Sequence, residues 1–101
     1  MDAVLVAVAD PTRRGILVLT RDREIAAGEI ATHFPTISRP AVSQHLRVLV
    51  HAGLLDVRRD GSRRLYRLRA DGFAEAAGFL DTMWAARLSD LKREVEDEHQ
   101  A

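Results

Sequence analysis

The stretch "SRPAVSQHLRVLVHAGLL", Ser38 to Leu55, concentrates hydrogen-bonding groups at helical spacing. Positions 39, 43, 44, 47 and 51 read Arg, Ser, Gln, Arg and His. Val42, Leu46, Leu49 and Val50 recur on the opposite side as an apolar stripe. Covalent catalysis is the first chemistry to test, because Ser43 and His45 are a nucleophile and a base in close sequence. Two residues apart on a helix they diverge by about 200°, so the hydroxyl cannot reach the imidazole. No phosphate loop, metal motif or carboxylate pair in an apolar setting appears elsewhere, and the reading is of a protein that is not an enzyme and has no cofactor. What remains is recognition. Arg39 and Arg47 suit guanine or phosphate, Gln44 can pair twice with an adenine, and Ser43 is short enough for close approach.

A second polar cluster follows. "LLDVRR" and "RRLYRLR" flank "DGS", a strong tight-turn signal, and Leu55 and Val57 alternate with charge as Tyr66 and Leu68 do. The sequence predicts a two-stranded hairpin tipped by Arg58, Arg59, Arg63 and Arg64, with Gly61 permitting the turn. Four arginines also suit a solvated strand edge that resists aggregation.

The elements that position these groups are legible around them. Ser38 caps the polar helix, Pro40 fits its first turn and Gly53 ends it. Before it, a short helix carries Val4, Leu5 and Val8 and is apolar nearly all round, so it needs burial. Asp10 caps a second helix with Pro11 in its first turn and Ile16, Leu17 and Leu19 on its apolar face. "TRDREIAAGE" breaks the pattern. A third helix is expected from about Ala27 to Phe34, with Ile30, Ala31 and Phe34 inward and no evident cap. After the hairpin, a long helix from Asp71 carries Phe73, Ala77, Leu80, Trp84, Leu88, Leu91 and Val95, a stripe longer than the core beneath it needs.

The totals agree with one domain over residues 1–101. Hydrophobic residues at 47% and charged residues at 30% describe a folded chain. There is no cysteine, which removes disulfides and thiolate metal sites and fits a cytoplasmic protein. The apolar run Ala3–Ala9 has an acidic residue before it and Asp10 and Pro11 after it, so it reads as a helix, not an export signal; no run is long enough to cross a membrane. The chain is neutral overall, but its charge is segregated. Residues 1–37 are net −1. Residues 38–69 hold 8 arginines and 2 aspartates, net +6, and residues 70–101 are net −5. A basic middle is a local field for a polyanion.

Helices joined by a tight turn and followed by a basic hairpin make a winged helix-turn-helix, mostly α with a small β wing. Its polar helix suits the major groove and its wing the backbone or minor groove of double-stranded DNA. The competing reading is a winged helix whose same face meets a protein. That reading predicts an acidic or apolar face, and this one is basic.

"ADPTRRGIL", "ISRPAVSQHLRVLVHAGLLDVRRDGSRRLYRL" and the Trp-bearing last helix resemble the ArsR/SmtB family of bacterial transcriptional repressors, from about Ala9 to Trp84. The resemblance implies a homodimer joined through the first and last helices, at 1–9 and 71–97, and an operator that is an imperfect inverted repeat. The implied interface residues are Val4, Leu5, Val8, Phe73, Leu80, Trp84, Leu88 and Leu91. The resemblance places base contact on Arg39, Pro40, Ser43 and Gln44 and the wing at Arg59 to Arg64; with the residue reading above, the expected DNA-binding set is Ser38, Arg39, Pro40, Ser43, Gln44, His45 and Arg47 at the helix and Arg58, Arg59, Gly61, Arg63 and Arg64 on the wing. The family's metal sensors use a cysteine pair on the third helix or histidine and acidic ligands on the last. Here the third helix reads "AGEIATHFP", so the resemblance is to the branch that does not sense metal. Glu96 and His99, at i and i+3, are the one remaining pair with zinc-ligand chemistry, and a solvated acidic C-terminus is the better account of them, so no metal site is expected. His51 reads as a late-turn histidine on the helix dipole, and His45, between the two faces, suits phosphate contact or packing equally. A protein or small-molecule effector stays open.

Overall fold

The computed structural model describes residues 1–100, with side chains described through Glu98. Two short helices open the chain: α1, Asp2–Val8, and α2, Pro11–Leu19. Asp10 caps α2 as expected. Its Oδ2 accepts the Arg13 backbone N–H at 3.0 Å, and Pro11 occupies the first turn, where a missing N–H costs nothing. Thr20 follows, fully buried, its hydroxyl donating to the Ile16 carbonyl at 2.9 Å.

The unassigned stretch contains a strand. β1, Ile25–Ala26, pairs antiparallel with the second strand of the hairpin, so the wing is part of a three-stranded sheet. Two residues are too short to show alternation, and Ile25, the apolar residue inside a charged run, is its only sequence trace. α3 is Ala27–Thr32, two residues shorter than expected. Pro35 disfavours helical backbone at Phe34, and His33 and Phe34 instead close tight turns onto the Ile30 and Ala31 carbonyls.

α4, Arg39–His51, matches its expected limits. The Ser38 hydroxyl accepts from the Ala41 N–H at 3.2 Å, and Val42, Leu46 and Leu49 are buried. At the far end Gly53 turns left-handed at φ 78°. The Gly53 N–H returns to the Val50 carbonyl and the Leu54 N–H to the Leu49 carbonyl, each at 3.0 Å, with Leu49 and Leu54 both buried. This six-to-one closure satisfies the last carbonyls and aims the chain into the wing.

The wing is β2, Leu55–Asp60, and β3, Arg63–Leu68. Leu55 lies opposite Leu68 and Val57 opposite Tyr66, the expected pairing. A 3₁₀ turn, Ala70–Phe73, leads into α5, Ala74–Gln100. Gly72 packs so closely on the Gly53 carbonyl that any side chain there would overlap it, which fixes the start of α5 against the exit of α4.

One buried cluster joins α1, α2, α3, α4, the sheet and the first turns of α5 through Ala7, Ile16, Ile25, Ile30, Leu46, Leu49, Leu55 and Ala76. Beyond Ala76, α5 leaves the body. Phe79, Leu80, Met83, Trp84, Leu88, Leu91 and Val95 are all exposed, Trp84 at 64%. No described helix is long and apolar enough to cross a membrane.

Candidate nucleic-acid interface

α4 buries one side and offers the other. Ser38, Arg39, Pro40, Ser43, Gln44 and Arg47 are exposed together on or before its first turns. Ser38 combines two roles, since an oxygen accepting the cap bond leaves the hydroxyl proton free to donate. Arg47 Nη2 and Nε donate to Gln44 Oε1 at 2.8 and 3.2 Å. The pair holds both side chains over the outer face and leaves the Gln44 amide donors free.

His45 stands apart from this row. It does not project with this set. Its side chain is 19% exposed and turns toward the start of α2, with Nδ1 4.0 Å from Asp10 Oδ2 and 3.5 Å from Arg13 Nη1. The cause is its place between the faces of α4, where α2 packs. Arg13 itself was not singled out from sequence. Its Nε donates to the Ala7 carbonyl at 2.7 Å and its Nη2 to the Val6 carbonyl at 3.2 Å, closing the last turn of α1. The Arg13 guanidinium thus touches α1 and α4, while the same residue's backbone N–H donates to the Asp10 cap of α2. The Arg13 N–H holds the Asp10 carboxyl below its ordinary value; His45 and the Arg13 charge act the same way, against partial desolvation.

The register of the wing sorts its arginines. Residues directly opposite share a face, and faces alternate along each strand. Leu55, Val57 and Arg59 therefore share one face with Arg64, Tyr66 and Leu68, while Arg58 and Arg63 lie on the other. Arg58 is engaged: its Nη2 is 2.7 Å from Glu24 Oε2 and its Nε donates to Oε1 at 2.8 Å. This bond raises the Arg58 value and lowers that of Glu24. Glu24 gave no sequence signal, because its partner is remote in the chain. Arg63 faces Asp60 across the turn. Arg59 and Arg64 face each other, and neither forms an ion pair among the described residues. Like charges directly opposite are unfavourable unless an anion joins them. Gly61 takes φ 65° at the tip, as the turn requires.

The expected interface set divides as well. Leu5, Leu80, Trp84, Leu88 and Leu91 are exposed. Val4, at 8% exposure, packs into this chain's own core, and Val8 and Phe73 pack against it. Exposed Val6, Phe79 and Met83 stand where sequence reading did not place the surface. Among the described residues no group of histidine and acidic side chains is placed to hold a metal; the side chain of His99, paired with Glu96 on sequence, lies outside them.

A body of three short helices, a capped helix with one polar exposed face and an arginine-tipped sheet define a winged helix-turn-helix DNA-binding protein. Comparison with known proteins agrees. A helix-turn-helix domain family matches residues 8–58. The HTH-type transcriptional regulator Rv2034 of Mycobacterium tuberculosis is 41% identical over 92 residues, 91% of this chain and 85% of that protein. The transcriptional repressor SdpR of Bacillus subtilis is 43% identical over 68 residues, 67% of this chain and 74% of that one. The homodimeric winged helix-turn-helix DNA-binding domain of a Mycobacterium bovis protein superposes with a TM-score of 0.64 at 28% identity, over 83% of this chain and 77% of the other. The chain belongs to the ArsR family of transcriptional regulators.

Proposed function

We propose that this protein is a homodimeric repressor that binds an inverted-repeat operator in double-stranded DNA. The exposed row Arg39, Ser43, Gln44 and Arg47 carries the reading, because it is a basic helix face beside the arginine-tipped wing that no other described residue covers. α4 lies in the major groove, with Gln44 and Arg47 on base edges and Ser38 and Arg39 on the backbone. Arg59 and Arg64 take phosphate, and Arg63 assists from the other face of the wing. Arg58 serves the wing through Glu24 instead.

The homodimeric Mycobacterium bovis neighbour supports pairing, and the exposed stripe on α5 with Leu5 of α1 supplies the surface. The repressor SdpR supports repression as the direction of control. Residues 1–101 act as one domain, without catalysis, metal or membrane, in the cytoplasm where operator DNA is met.

The test is binding to a fluorescent fragment of the protein's own promoter, at two salt concentrations, with and without zinc, against random duplex competitor. Tight binding that resists competitor and ignores zinc is expected. Weak binding removed equally by random duplex overturns sequence-specific recognition and brings forward a protein partner for the same face.

A further inference from the structure

A groove runs between α4, the wing and α1, and it is more apolar than a DNA backbone needs. It is open to solvent along its length and has a volume of about 830 Å³, within the range of sites that take small organic ligands. Val6, Val48, Ala52 and Val57 form its floor, with the Tyr66 ring beside them. Val6 is 64% and Val57 42% exposed, so this apolar surface meets water in the free chain. Arg58, already held by Glu24, reaches its edge; Arg47, Arg59 and Arg64 also line it, and no carboxylate is among the lining residues. None of the last three forms an ion pair among the described residues.

Cations without counter-ions beside an uncovered apolar floor complement one kind of molecule. A phosphodiester satisfies the arginines and offers nothing to the valines. A neutral apolar ligand does the reverse. We propose that this groove binds an amphipathic organic anion: a carboxylate carrying an aliphatic or aromatic tail. The tail covers Val6, Val48 and Val57. The carboxylate sits between Arg59 and Arg64, whose forked donors match its two oxygens and whose mutual repulsion it removes.

The regulatory consequence rests on the DNA reading above; ligand binding itself does not. Because the same arginines meet phosphate, ligand and operator exclude one another. The ligand induces by direct competition at the DNA surface, with no change transmitted from the dimer interface.

Calorimetric titration of the full chain without DNA tests the site. The probes are decanoate, decyltrimethylammonium (similar tail, opposite charge) and acetate (same charge, no tail). Decanoate is expected to bind at least about tenfold more tightly than either. Val57→Gln, at an exposed strand position, and the double variant Arg59→Gln/Arg64→Gln should each weaken decanoate by about tenfold or more, with unchanged circular dichroism. Equal affinity for the cationic probe overturns the proposal, as does decanoate binding that survives both variants. Decanoate should then raise the apparent Kd for the promoter fragment. A ligand that binds as described while the promoter fragment is ignored would refute the repressor reading and leave the groove site standing.

Discussion

Gln44 and Arg47 are bonded to each other before any partner arrives, and this shapes what their loss should do. With Gln44 Oε1 accepting from Arg47, the free amide donors of Gln44 and the remaining donors of Arg47 point outward together. Gln44→Ala removes one reader and releases the other. Operator affinity should fall by about 1–3 kcal/mol, with preference relaxed at one base pair, measured on a panel of single-base operator variants. Equal loss on every sequence would rule out base reading. The wing arginines separate by partner. Arg64→Ala should weaken all duplexes alike and reduce the salt slope by about one, because no ion pair among the described residues already holds Arg64. Arg58→Ala should change the slope less, since Glu24 already holds that charge. Matching slopes for the two variants would contradict this division. The four wing arginines were visible in sequence as one cluster. Their sorting was not, because it needs the strand register and a glutamate 34 residues away.

Asp10 acts at the scale of elements. It caps α2 and stands beside His45 of α4, so one carboxylate serves two helices. Its folded-state value is depressed, so its stabilisation is complete above the unfolded value of 3.8 and is lost as pH falls through the folded value. Asp10→Ala should cost about 0.5–2 kcal/mol at neutral pH, read by urea unfolding, and the gap to wild type should narrow in acid. A gap that persists unchanged in strong acid would show that the charge plays no part. The cap itself was legible, because "DPT" before an apolar rhythm is a local signal. α4 and the hairpin were legible for the same reason: capping residue, glycine exit, alternating strands and tight turn all lie within their own segments. β1 was not, since two residues carry no period and the strand exists only because the edge of β3 needs a partner. The inward turn of His45 was equally hidden, being set by Asp10 and Arg13 from another helix.

The whole molecule is too extended for one chain standing alone. Its principal extents are 69 × 27 × 23 Å and its radius of gyration is 18.9 Å, against about 13 Å for a compact domain of this length. The excess is α5, 27 residues and about 40 Å long, with its apolar stripe in water. Surface of that kind calls for a partner. Trp84→Arg places a charge in the stripe. The variant should sediment as a monomer and bind promoter DNA weakly, because a single half-site gives up the contacts of the second. An intact dimer would refute this interface. Trp84 is also the only tryptophan in the sequence. In most domains the indole signal reports on the core; here the core holds Tyr66 but no tryptophan, and the indole emission belongs to the stripe alone. Diluting the protein should redden its fluorescence without any unfolding, so the chain carries a built-in gauge of its own assembly.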